Sequence, residues 1–283
     1  MTAVTSGVGH AVPPAIPQMT ALVLRTLRDR WRSTFGWGLG LVLMAILQLS
    51  VYPSVARSSQ GLQDFLNQWP EAFRDAFNLD AYSTGAGFLN AEMFSMMVPL
   101  VLIAVACSGA AAATAGEEDR GTADLLLSMP LSRGRGIFAK ALTMVIAVVL
   151  VAAATLLTLV IGAPIVDLEV GVSQLAAGIG MTVLLALVFG ALTLVVAAAT
   201  GRRTAALGTG VGVAMAAFLL NALAPMASWL EPWQKVSPFN WALGDSPLLN
   251  GMDWPMAWLM LGLFLVLGGV ADVLYHRRDI GSR

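Results

Sequence analysis

Apolar residues run along this chain in long stretches separated by short charged or turn-forming segments, and a helix crosses a bilayer core with about 20 of them. Six stretches reach that length: about 35 to 55, 92 to 115, 138 to 163, 174 to 200, 205 to 226 and 254 to 275. The pattern predicts an all-α integral membrane protein with six transmembrane helices. Only Gly201-Arg202-Arg203-Thr204 parts the fourth stretch from the fifth. Each arginine at a bilayer centre costs roughly 2.5 to 3.5 kcal/mol, so these four residues predict a tight turn between two spans.

Shorter patterns flank the spans. Residues 1 to 18 are small and polar, contain Pro13, Pro14 and Pro17, and lack the basic start, apolar core and cleavage site of a signal peptide. They read as a disordered tail. From 19 to 34, Met19, Val23, Leu27 and Trp31 recur every fourth residue while Arg25, Arg28, Asp29 and Arg32 fall elsewhere. That spacing predicts an amphipathic helix lying in the membrane interface, the alternative being an extension of the first span. In residues 56 to 91, Phe65, Trp69, Phe73 and Phe77 stand at helical spacing beside Asp64, Glu71, Arg74 and Asp75, which predicts a short amphipathic helix with a break at Pro70. Residues 227 to 253 are rich in Pro and Trp and form either a loop or a re-entrant hairpin. At membrane depth, irregular backbone needs protein or water around it.

Composition agrees with the pattern. Hydrophobic residues make up 57% of the 283 positions and charged ones 12%, with a mean hydropathy of +0.76. A soluble domain carries about 25% charged residues. A net charge of −1 gives no footprint for nucleic acid. Cys107, the single cysteine, lies in an apolar run and reads as a small buried hydrophobe. His10 and His276 lack metal-ligand spacing.

Basic residues set the orientation. With the N-terminus cytoplasmic, Arg25, Arg28, Arg30, Arg32, Arg120, Arg133, Arg135, Lys140, Arg202, Arg203, Arg277, Arg278 and Arg283 lie inside, and only Arg57, Arg74 and Lys235 outside. Thirteen against three decides the matter under the positive-inside rule. Tryptophans agree, with Trp229, Trp233, Trp241, Trp254 and Trp258 near the outer interface and Trp31 and Trp37 near the inner one.

Catalytic chemistry is not legible. Gly116 to Thr122 has the glycine spacing of a phosphate loop but no lysine, and Glu117, Glu118 and Asp119 would repel a triphosphate. No HExxH or GxSxG pattern occurs. Intramembrane ionisable groups mark ion-coupled transport, yet only Glu92 and Asp272 approach the spans, each near an end. Asn221, deep in the fifth stretch, reads as an interhelical hydrogen-bonding group. Gly36 and Gly40, Gly208 and Gly212, Ala110 to Ala113, and Gly268 and Gly269 let helices approach closely without naming a dimer face.

The densest charge lies between the second and third stretches, in Gly116 to Lys140. Acids come first (Glu117, Glu118, Asp119), then Gly121, Thr122 and Asp124, the leucines Leu125, Leu126, Leu127 and Leu131 with Met129, Pro130, and the bases Arg133, Arg135 and Lys140. Acids ahead of a helix start and bases after its end both favour a helix, here from about Thr122 to Met129. Its leucines exceed what solvation requires.

This order of residues resembles the cytoplasmic loop of permease subunits of the type-2 ABC exporter family: an acidic run, Gly-Thr, an acid two residues on, paired leucines, Pro and Ser-Arg. Tyr275 to Ile280 is similar to the basic Arg-Asp ending that follows the last membrane helix in that family, and Gly87-Phe88-Leu89 with Glu92, Phe94 and Pro99 resembles the start of its second. The likeness covers about residues 20 to 280. It implies that Glu117, Glu118, Gly121, Thr122, Asp124, Leu126, Leu127, Pro130 and Arg133 form a short cytoplasmic coupling helix and its flanks, seated in a groove of a separate ABC ATP-binding subunit. It further implies a second permease copy or a paralogue, ATP and Mg on the partner subunit with no cofactor on this chain, a non-enzymatic transport role by alternating access, and a plasma-membrane location with both termini cytoplasmic. An ion-coupled secondary transporter and a non-transporting membrane anchor for an ATPase stand as the alternatives.

Overall fold

The computed structural model describes residues 15–57, 84–118 and 133–277. It is helical throughout, with no strand among the described residues. Ten α-helices are described: α1 (Ala15–Arg57), α2 (Gly85–Leu89), α3 (Met97–Glu118), α4 (Arg133–Gly162), α5 (Val172–Thr200), α6 (Arg203–Leu223), α7 (Glu231–Gln234), α8 (Pro238–Leu243), α9 (Pro247–Asn250) and α10 (Trp254–Arg277). Among the described residues five of these, α1, α4, α5, α6 and α10, are long and apolar enough to cross a membrane. A sixth span arises if α2 and α3 count as one, bent by 40° at the break between Phe94 and Met97.

Helix α5 is the hub. It buries residues on every side, among them Leu175, Ile179, Met181, Leu185, Phe189 and Leu194, and packs against α3, α10, α6 and α4. A helix apolar all round belongs inside a bundle. Helix α1 lies outside it, packed mainly along α4. Glycine sets the closest approaches: a Cβ on Gly190 of α5 would stand 2.9 Å from Ala106 Cβ of α3, and one on Gly109 of α3 would stand 3.4 Å from Met144 Cγ of α4. Buried hydroxyls turn back on their own helices, with Thr143, Thr155, Thr182 and Thr193 each donating to the carbonyl four residues earlier at 2.7–3.0 Å. Cys107 is fully buried, its thiol 3.7 Å from the Phe189 carbonyl oxygen.

The two N-terminal pieces, 19–34 and 35–55, are joined without a break: α1 runs for 43 residues, about 64 Å at 1.5 Å per residue. The reason is register. Val23, Gly38, Leu41, Ala45, Leu49 and Tyr52 form one buried stripe that passes Thr34 without a phase change. The helix also starts at Ala15, inside the expected tail of residues 1–18, because Pro17 is tolerated in a first turn that has no hydrogen-bond acceptor to lose.

The second stretch differs as well. Gly85–Leu89 is helical, Asn90–Phe94 widens into a π-turn, and the straight helix begins at Met97. Thr84 caps α2, its hydroxyl accepting from Gly87 N at 3.0 Å. The π-turn puts Glu92 beside α1, where Gln48 Nε2 donates to Glu92 Oε2 at 3.3 Å. Phe65, Trp69, Phe73 and Phe77, expected on an amphipathic helix, lie outside the described residues.

Between α6 and α10 the chain folds back into the bundle. Phe239 on α8 is fully buried, with ring centroids 5.9 Å from Phe189 and 5.5 Å from Phe218. Ser237 Oγ donates to the Ala217 carbonyl at 3.0 Å, which lies six residues, or about 9 Å, inside the end of α6. Ser237 also caps α8, its hydroxyl accepting from Phe239 N. Short helices at Glu231–Gln234, Pro238–Leu243 and Pro247–Asn250 close the turns of this segment. Asn221 is corrected: its side-chain oxygen is buried with no hydrogen-bond partner among the described residues, and it is its backbone carbonyl that accepts from Gln234 Nε2, at 3.4 Å.

Candidate functional site

The charged segment hangs between α3 and α4. Glu117 and Glu118 are the last two residues of α3 and Arg133 is the first of α4. Gly121, Thr122, Asp124, Leu126, Leu127 and Pro130, with the short helix expected from Thr122 to Met129, lie outside the described residues. Both helices extend further into the segment than the expected limits of 115 and 138.

Beneath the segment, α3 and α4 are gripped from three sides. Arg30 of α1 reaches α3, its Nη1 donating to the carbonyl oxygens of Ser108 at 2.8 Å and Gly109 at 2.9 Å, and its Nη2 to Ser108 Oγ at 3.3 Å. Those carbonyls are reachable because glycine and alanines follow: Gly109 and Ala110 to Ala112 leave the helix surface bare. Helix α4 is held by α10. Gly134 closes on the α10 end, where a Cβ would meet Asp272 Oδ1 and His276 Cε1 at 3.1 Å. One and a half turns further on, the buried Lys140 places its ammonium 5.6 Å from the Tyr275 ring centroid. Asp272 itself stands 3.5 Å from His276 Nδ1. The third support is the α5–α6 turn. Gly201 takes a φ of 64°, a left-handed conformation that suits glycine, and its N–H closes on the Ala197 carbonyl. Just inside that turn Ala111, Ala197 and Ala206 pack together.

Arg30 was counted in the sequence only as one more basic residue on the inner side. Its signal was its phase. It lies seven residues after Val23 and eight before Gly38, on the buried stripe, whereas Arg25, Arg28 and Arg32 lie off it. Replacing Arg30 by Gln removes at least two charge-assisted hydrogen bonds, each worth about 1.5–3 kcal/mol. The expected result is a loss of about 3 kcal/mol or more in unfolding stability in detergent, with Arg30→Lys recovering part of it. Equal thermal midpoints for the wild type and Arg30→Gln would show that the clamp is idle.

No nucleotide or metal site emerges from these contacts. The arrangement instead places the two ends of the charged segment on a close-packed three-helix support formed by α3, α4 and α5.

Comparison with known families matches residues 20–280, nearly the whole chain, to the family described as ABC-2 family transporter protein. No curated protein matches. The chain belongs to the ABC-2 family, and is an integral membrane protein of the ABC transporter permease type.

Proposed function

We propose that this chain is the translocation subunit of an ATP-driven exporter, and that the segment from Glu117 to Arg133 is where a separate ATP-binding subunit pushes on it. The observation that carries the reading is the pairing of an acid-leucine-base segment with rigid supports at both ends. Helices α3, α4 and α5 close on one another beneath it, where a Cβ on Gly190 of α5 would stand 2.6 Å from Met144 Sδ of α4 and 2.9 Å from Ala106 Cβ of α3. A force applied between Glu118 and Arg133 is therefore passed to α3, α4 and α5 as one packed unit. In this mechanism ATP and Mg are held by the partner, closure of two ATP-binding subunits drives the segment, and the interface between this permease and a second copy or a paralogue alternates its access from inside to outside. Thirteen inner basic residues against three outer ones support cytoplasmic termini in a plasma membrane.

The test is enzymatic. Purified alone, the chain is expected to show no specific ATP hydrolysis, and hydrolysis should co-purify with it only when an ABC ATP-binding subunit is co-expressed. Turnover by the isolated polypeptide that survives removal of contaminating ATPases would overturn the proposal.

A further inference from the structure

A trough opens on the outer flank of the bundle where α1 and α4 diverge. Its volume is about 640 Å³, within the range of about 300–1,000 Å³ typical of small-molecule sites. The walls are apolar along most of their length, from Trp31, Leu39 and Val42 of α1 to Leu150 and Ala154 of α4, and Arg28 stands at one end. Gly38 forms the floor, where a Cβ would already be 3.8 Å from Val151 Cγ2. From Arg28 to Val42 is 14 residues, about 21 Å of helix, so the trough spans the depth of one leaflet, about half of a 30 Å core.

The ends of the trough differ in charge. Arg25, Arg28 and Arg32 recur at spacings of three and four, all exposed on one side of α1, and Arg32 stands 6.0 Å from the Trp31 ring. Asp29 is the single acid among them, about 100° round the helix from Arg28. Beyond this basic cluster the outward face turns apolar, with Phe35 and Leu43 well exposed. The order is basic rim, tryptophan at the interface, then apolar groove, which is the order of headgroup and acyl chain in a phospholipid. Basic pockets between membrane helices favour anionic headgroups.

We propose that this trough is a binding site for an anionic phospholipid, one acyl chain lying between α1 and α4 and the headgroup phosphate meeting Arg28. Arg28 lies about 160° round α1 from Arg30, so the headgroup end is separate from the Arg30 clamp, and occupancy of the site does not depend on the transport reading.

The full chain, purified in detergent, is incubated with equal amounts of phosphatidylglycerol and phosphatidylcholine of identical acyl chains and examined by native mass spectrometry. Phosphatidylglycerol should be retained in preference, and Arg28→Gln should lower that preference about fivefold, as expected for one arginine at an anionic surface. Arg202→Gln, on the α5–α6 turn, should leave the preference unchanged. In parallel, phosphatidylglycerol with a diazirine at the acyl terminus should label peptides carrying residues 35–42 or 147–154, and Ala154→Trp should abolish that labelling. Equal retention of the two lipids, an unchanged preference in Arg28→Gln, or labelling confined to other helices would each overturn the proposal. So would chain-to-chain cross-links through the trough, which would make it an interface with a second copy.

Discussion

Replacing Leu126 and Leu127 together by Asp is expected to abolish co-purification of the ATP-binding subunit and transport with it, while the permease still inserts and folds. Each leucine offers apolar area to a desolvated groove, and a carboxylate there would have to be buried without a partner. The cost is on the order of several kcal/mol for the pair, enough to reduce docking by more than a hundredfold. Stability should hardly change, since neither residue belongs to the packed supports at Arg30, Gly134 and Lys140. Retention of the partner at wild-type yield by a variant that exports normally would make the leucines solvated loop residues. Gly121 and Thr122 join the same expectation, one allowing a tight turn into the short helix and the other capping it.

A second large effect is expected inside the bundle. Gly190→Leu should prevent α3, α4 and α5 from closing together. A Cβ at Gly190 would stand 2.6 Å from Met144 Sδ and 2.9 Å from Ala106 Cβ. The methionine can swing aside, but the alanine methyl moves only with its helix. Overpacking of this kind costs typically about 1–3 kcal/mol, and more when several carbons are added. Gly190→Ala should therefore lower the thermal midpoint, and Gly190→Leu should remove most of the monodisperse protein in size-exclusion chromatography. Gly208→Leu is the control, because nothing lies within 4 Å of a Cβ there. Equal yields from Gly190→Leu and Gly208→Leu would show that the contact with Ala106 does not set the helix spacing.

The spans were legible because length and hydropathy alone identify them, and the turn at Gly201 because two arginines cannot rest at mid-membrane. What escaped the sequence depended on phase and on distant partners. The boundary at Thr34 leaves no break because an interfacial and a spanning helix share the same 3.6-residue period, and the buried positions Val23, Gly38, Leu41, Ala45, Leu49 and Tyr52 keep one phase across it. Arg30 looked like its neighbours until the carbonyls of Ser108 and Gly109, 78 and 79 positions away, came within reach. The packing of 227–253 against the bundle rests on Phe239 finding Phe189 and Phe218, a meeting that no local pattern announces. Asn221 failed for the same reason, since a polar side chain in an apolar run signals a hydrogen bond without naming which atom makes it. The π-turn at Asn90–Phe94 holds no proline or glycine of its own, and its mark is Pro99, which cannot donate to the Ser95 carbonyl and so favours the break ahead of Met97.

For an ATP-binding subunit to push on it, the charged segment must face the compartment that holds ATP, and cysteine accessibility reads which side it is on. Cys107 is first replaced by Ala, a small apolar residue that suits its fully buried site beside the Phe189 carbonyl. Single cysteines then go to Ser59 and Ser228 on the outer side and to Ser128 and Ser282 on the inner side. Ser228 is exposed and is preferable to the nearby Gly251, whose φ of 88° would strain any side chain. With an impermeant maleimide added to intact cells, Ser59→Cys and Ser228→Cys should be modified, and Ser128→Cys and Ser282→Cys only after the membrane is opened. Modification of Ser128→Cys in intact cells would put the segment outside, beyond the reach of any ATP-binding subunit, and would contradict the account.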